Sequence, residues 1–194
     1  MFARRGYAHT SLRQLMAAAR VSTTAFYARF ASKEEVLGAL VQRLLDELDA
    51  RARRDLALAE GIEDGFRRGV EALVAVLAPQ RELVRVALTE AAVSPAVSAS
   101  LGARYAGLAA LLSGRIGALA RRGAVAVVDP DAVAWSLVGA LHMQILRWAV
   151  YQQLDTDALV PALHAVAQAH LLSLRPSLGS GQPRRRETRE GERA

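Results

Sequence analysis

Cysteine is absent from the 194 residues, which removes disulfides and thiolate metal sites and fits a reducing, cytoplasmic setting. Lysine occurs once, at Lys33, and every other basic residue is arginine. With the abundance of alanine, this reads as genomic base composition. Asp and Glu are missing from Met1 through Lys33, whereas Arg4, Arg5, Arg13, Arg20, Arg29 and Lys33 give that stretch a charge of +6. Histidine is scarce: His9, His142, His164 and His170 show no ligand spacing and no neighbouring carboxylate set. Neither a glycine-rich phosphate loop nor a nucleophile elbow occurs. The sequence therefore points away from an enzyme and calls for no cofactor and no metal. Long hydrophobic runs are lacking too. The uncharged apolar stretch Ala132 to Leu146 contains His142 and Gln144 and is too short to span a bilayer. Residues 1–30 have no continuous apolar segment of the signal-peptide kind, so neither export nor a membrane partner is expected.

What is present is a basic start joined to a mildly acidic body. Residues 34–174 carry 13 basic and 16 acidic side chains, and charge concentrated at one end is the footprint of a protein that grips phosphates there. The same end has a compact pattern of helix punctuation. Thr10 or Ser11 caps a helix whose apolar side is Leu12, Leu15, Met16 and Ala19. Arg20-Val21-Ser22 turns the chain, and Ser22 caps a second short helix with Ala25, Phe26 and Phe30 facing inward. Ser32-Lys33-Glu34-Glu35 reads as a capping box opening a third helix. Two short helices joined by a tight turn form a helix-turn-helix, whose second helix enters the DNA major groove.

Gly6-Tyr7, Thr10-Ser11-Leu12, Val21-Ser22, Phe26-Tyr27-x-x-Phe30 and Ser32-Lys33-Glu34-Glu35-Val36-Leu37 resemble the DNA-binding segment of tetracycline-repressor-like (TetR-family) regulators. The resemblance covers about a fifth of the chain and departs from the family pattern twice. It implies a full helix ahead of the position of Phe2, here reduced to Phe2-Ala3-Arg4-Arg5. Either the true chain starts upstream of Met1, or Leu15, Phe26 and Phe30 lose a wall of their core. Arg20 stands where the family usually has glycine, at a turn that favours positive φ.

The remainder predicts an all-α body: helices from Lys33 to near Gly61, Ile62 to before Pro79, Gln80 to Ala92, Ala96 to about Arg122, Asp129 to about Gln153, and Asp157 to Leu174. The fourth is loosened by Gly102, Gly107, Gly114 and Gly117, each costing about 1 kcal/mol relative to alanine. Residues 124–128 read as a loop or a helix extension, and Pro161 is tolerable only in the first turn of the last helix. The expected division is a helix-turn-helix DNA-binding domain over 1–48, a helical ligand-binding and dimerisation domain over 49–174, and a disordered basic tail over 175–194.

The resemblance implies a dimeric regulator, a repressor released from a palindromic operator by a small molecule. Its partners are double-stranded DNA, an effector of unknown identity and a second copy of itself. The residues implied for DNA are Thr10, Ser11, Arg13, Ser22, Thr23, Thr24, Tyr27, Arg29 and Lys33. Thr23, Thr24 and Arg13 reach bases, while Lys33 contacts phosphate from a helix N-terminus. For the effector the candidates are Phe66, Leu101, Arg104, Tyr105, Trp135, Leu141, His142, Met143 and Gln144, an apolar set with a few polar anchors. For self-association they are Leu137, Ile145, Trp148, Leu159, Leu163, Val166, His170 and Leu171, because the last two helices have more apolar surface than one core needs. The alternative is a dimeric helical small-molecule-binding protein that has lost operator binding through its shortened first helix.

Overall fold

A computed structural model describes residue 2 and residues 6–174, and every regular element among them is helical. The expected disordered tail and the segment Ala3-Arg4-Arg5 lie outside the described residues. Helix α1 spans Leu12–Ala19, α2 Thr23–Tyr27 and α3 Lys33–Ala57; α4 spans Ile62–Leu77, a single 3-10 turn covers Ala78–Gln80, and α5 runs Arg81–Glu90. Then come α6 Pro95–Arg121, α7 Pro130–Ala149 and α8 Thr156–Ser173.

Local chemistry sets most of the ends. Ser11 caps α1 by accepting from the Gln14 amide at 3.3 Å, and the Gln14 side chain accepts from the Ser11 amide at 3.0 Å. Ser11 is therefore the cap, and the capping box stands here. At α3 the box is modified: Ser32 Oγ accepts from the Glu35 amide at 3.1 Å, but the Glu35 carboxylate reaches the amide of Ala31 at 2.6 Å, one residue further back. Ser94, Asp129 and Asp155 cap α6, α7 and α8, the first two followed by proline at the first helical position. Residues 124–128 form a turn and extended loop, held by the Ala126 amide on the Leu174 carbonyl at 3.2 Å. Pro161 sits deeper than expected, as the sixth residue of α8 and inside a helix that continues past it.

The long helix α3 packs against α4 and α6, α7 lies between α6 and α8, and α4 also meets α8. One core cluster gathers Leu44 and Leu48 of α3, Val70, Val74 and Leu77 of α4, Trp148 of α7, and Leu159 and Leu163 of α8. Trp148 is fully buried, donating from Nε1 to Thr156 Oγ1 at 3.2 Å and lying under the Arg81 guanidinium, which donates to the Trp148 carbonyl. A second cluster joins Phe2, Leu37, Val41 and Leu45 to Val86 and Ala87 of α5 and Val97 of α6, with Tyr7 and Leu15 against it. Helix α3 therefore serves both clusters, contributing successive positions of its apolar stripe to each. A boundary at residue 48 falls within this continuous helix.

Candidate nucleic-acid interface and body cavities

The turn between α1 and α2 depends on Arg20, which takes the left-handed conformation with φ 55° and ψ 38°. This is the geometry for which the family's glycine is suited, adopted here by an arginine. Its amide and that of Val21 return to the Ala17 and Met16 carbonyls at 3.3 and 3.1 Å and close α1. Ser22 Oγ then accepts from the Ala25 amide at 3.1 Å and starts α2. Phe26 turns inward at 7% exposure, against Phe30 at 5.8 Å between ring centroids. Phe2 is 4% exposed and packs against Tyr7 with the ring centroids 5.3 Å apart and the planes tilted by 46°, so the wall expected to be missing is in part supplied by Phe2 itself. Leu15 and Phe30 are half-buried.

With Phe26 inside, Thr23, Thr24, Tyr27 and Arg29 are exposed at α2, and Arg13 is exposed on α1. Among the described residues neither Arg13 nor Arg29 has an ion-pair or side-chain hydrogen-bond partner. Ser11 and Ser22 are exposed, with their hydroxyl oxygens used as caps. Two of the expected DNA residues are engaged elsewhere. Thr10 is 1% exposed and donates from Oγ1 to the Gly6 carbonyl at 2.7 Å. It shapes the approach to α1 and does not face a groove. Lys33 is half-buried: its Nζ donates to the Tyr7 carbonyl at 2.8 Å and sits 4.2 Å over the Tyr7 ring. Its charge fastens residue 7 to α3, in place of the free phosphate contact expected of it.

In the body, two adjoining cavities of about 140 and 110 Å³ lie between α3, α4, α6 and α7, the second bordered by α5 as well, and share Leu48, Leu73, Arg104, Leu108 and Leu141. Six expected effector residues line them: Phe66 and Leu141 in the first, Leu101, Tyr105, His142 and again Leu141 in the second, and Arg104 in both. The Arg104 guanidinium is ion-paired with Asp49 of α3. Tyr105 Oη and His142 Nδ1 are 2.8 Å apart in a hydrogen bond. Burial pushes the Tyr105 hydroxyl up to about 12 and lowers the His142 imidazole below its usual value of 6.5. Both groups are consequently neutral at neutral pH.

Three effector candidates are placed elsewhere. Trp135 and Met143 are 45% and 47% exposed on the outer face of α7, and Gln144 accepts from Arg147. The dimerisation set also needs correction. Leu137, Trp148, Leu159 and Leu163 are at most 1% exposed within a single chain and cannot be a surface. Leu137 and Ile145 line the cavities, and His170 is tied within the chain, to the Val166 carbonyl through Nδ1 and to Ser136 Oγ through Nε2. Val166 and Leu171 are half-buried. The exposed residues of α7 and α8 include Trp135 and Met143, the intervening Gly139, and Ala165, Ala169 and Leu172. Sequence reasoning missed Arg115, Leu108 and Leu112, which line the first cavity. The clue was present, since Arg104, Leu108, Leu112 and Arg115 recur at helical spacing.

Residues 1–40 match the model of bacterial regulatory proteins of the tetR family. The chain overlays a TetR-family protein from Syntrophomonas wolfei with a TM-score of 0.74 at 19% identity, covering 88% of this chain and 89% of that one. A TetR-family transcriptional regulator from Pectobacterium atrosepticum is 29% identical with a TM-score of 0.67, covering 90% and 88%. The TetR-family regulator PfmR from Thermus thermophilus is 24% identical with a TM-score of 0.63, covering 89% and 92%. The chain is similar to TetR-family regulators in its first 40 residues and in its fold. Helices α1 and α2 lie within the segment that the family model matches, and α3 to α8 are arranged as the body of a TetR-like fold. Among the described residues no single helix is long and apolar enough to cross a membrane, and no three His, Asp or Glu side chains are grouped to hold a metal.

Proposed function

We propose that this TetR-like chain is a cytoplasmic transcriptional repressor. It binds a two-fold symmetric operator as a homodimer and is released when a small molecule enters the body cavities. The observation that carries the reading is the α1–α2 surface: Arg13, Thr23, Thr24, Tyr27 and Arg29 are all exposed, with no acidic residue anywhere in the first 33 positions. Such a surface meets phosphates at its rim and base edges at its centre. The proposed subunit interface is the outward face of α7 and α8 built on Trp135, Gly139, Met143, Ala165, Ala169 and Leu172. Half-exposed Trp and Met beside small residues make a self-complementary apolar patch.

Sequencing the genomic fragments captured by the protein tests the function. Recovery of a palindromic site, bound with an affinity that falls steeply with salt, is the expected result. Absence of any salt-sensitive, sequence-selective binding overturns it.

A further inference from the structure

We infer that the effector is an apolar carboxylate whose charged head is held by Arg115 at the mouth of the first cavity, with its hydrocarbon body lying inside. The inference rests on the proposed role of the cavities as the effector site. The cavity wall is apolar apart from two guanidinium groups, Arg104 and Arg115, and no acidic side chain lines it. Both arginines belong to α6 and are eleven residues apart, three helical turns, so they share one face about 16 Å apart along the axis. The two differ in their engagement. Arg104 is already neutralised by Asp49, whereas Arg115 is exposed and has no ion-pair or hydrogen-bond partner among the described residues. Its Nη1 stands 4.0 Å from where a Cβ would project from Gly65, which sets the group at the end of the cavity beside the start of α4.

An unpaired guanidinium at the rim of a hydrocarbon-lined cavity favours one ligand chemistry. A carboxylate takes two parallel N–H donors from arginine, an alcohol takes fewer and weaker ones, and an ammonium is repelled. Behind the head, Phe66, Leu108, Leu111 and Leu112 receive an apolar body, which then meets Leu48 and Ala52 of α3. Because α3 also begins at the N-terminal helix-turn-helix unit, the depth to which the ligand's hydrocarbon part fills the cavity bears on the helix that joins that unit to the rest of the chain.

Calorimetric titration of the full chain with decanoate, decanol and decylamine tests this. Decanoate is expected to bind about tenfold more tightly than decanol, with decylamine weakest, the gain of a charge-assisted hydrogen bond. Arg115→Gln should abolish the preference for decanoate over decanol, and Arg115→Lys should restore part of it. Equal binding of decanoate and decanol by the wild type, retention of the preference by Arg115→Gln, or binding of none of the three overturns the inference. A parallel titration of operator DNA separates it from the function beneath it. Release by a neutral apolar compound with no decanoate binding overturns the carboxylate assignment and leaves the repressor reading standing. Decanoate bound at Arg115 without any change in DNA affinity overturns its role as effector.

Discussion

At the scale of single residues, Arg20 is the most informative side chain of the DNA-binding unit. It holds a left-handed backbone conformation that costs an L-residue about 1–2 kcal/mol, and the two turn hydrogen bonds and the packed Phe26 keep it there. Arg20→Gly should raise stability by up to about 1 kcal/mol, read as a shift in the chemical-denaturation midpoint. A loss of stability would mean that the arginine side chain contributes more than its backbone costs. Lys33 carries the second residue-scale lesson. Its ammonium is engaged with the Tyr7 carbonyl and ring, so Lys33→Ala should lower the stability of the fold as well as the affinity for DNA. A residue that served phosphate alone would leave melting unchanged. His142 gives the third. Burial holds its folded pKa below 6.5, so the unfolded chain takes up the proton first and protonation favours unfolding. Its contribution is fully present above about pH 6.5 and is lost as pH falls through that value toward the folded pKa. Relative to His142→Gln, the wild type should lose stability as the pH falls below about 6.5 in denaturation curves.

At the scale of elements, α6 contains glycines that its surroundings do not require. A Cβ added at Gly102, Gly107 or Gly114 meets nothing within 4 Å. Gly107→Ala should stabilise the chain by about 0.5–1 kcal/mol through backbone entropy alone, measured by thermal or denaturant unfolding. No gain would indicate that a partner subunit or ligand approaches this face. The pair α7 and α8 shows what could be read from sequence and what could not. The helix start at Asp129 was legible because a cap is a contact between a residue and the amides two or three positions on, whereas α8 is capped by Asp155, two residues ahead of the expected start at Asp157. That α7 is apolar around much of its circumference was legible as well. Which part of that circumference meets its own chain was not, because periodicity ranks faces by hydrophobicity and does not say what covers them. The most apolar side, carrying Trp148 and Leu137, went into the chain's own core. The interface test therefore moves outward. Trp135→Asp or Met143→Asp should give monomers in sedimentation with melting little changed, whereas Leu163→Ala should cost about 2–5 kcal/mol of stability. Monomeric protein from neither surface variant would remove the proposed interface.

At the scale of the molecule, the DNA-binding unit was the legible part, because its turn, caps and lack of acid all lie within consecutive residues. The cavities were half-legible. Arg104, Tyr105 and His142 stand out in the sequence as polar residues in apolar helices, but their partners, Asp49 for the first and each other for the last two, lie 37 or more positions away. Ser94 shows how the two ends of the molecule are tied: it caps α6 and donates to Glu34 in the first turn of α3 at 2.8 Å, buried at 5% exposure.

The shared cluster of Phe2, Leu37, Val41, Leu45, Val86, Ala87 and Val97 has a practical corollary for anyone recombining such proteins. Grafting another regulator's first 48 residues onto this chain would cut through a packed interior and leave foreign side chains against Val86, Ala87 and Val97. A hybrid would need those three positions, and the Glu34–Ser94 pair, exchanged together with the graft. The operator specificity proposed for this chain is in this sense portable only with a patch of the body attached.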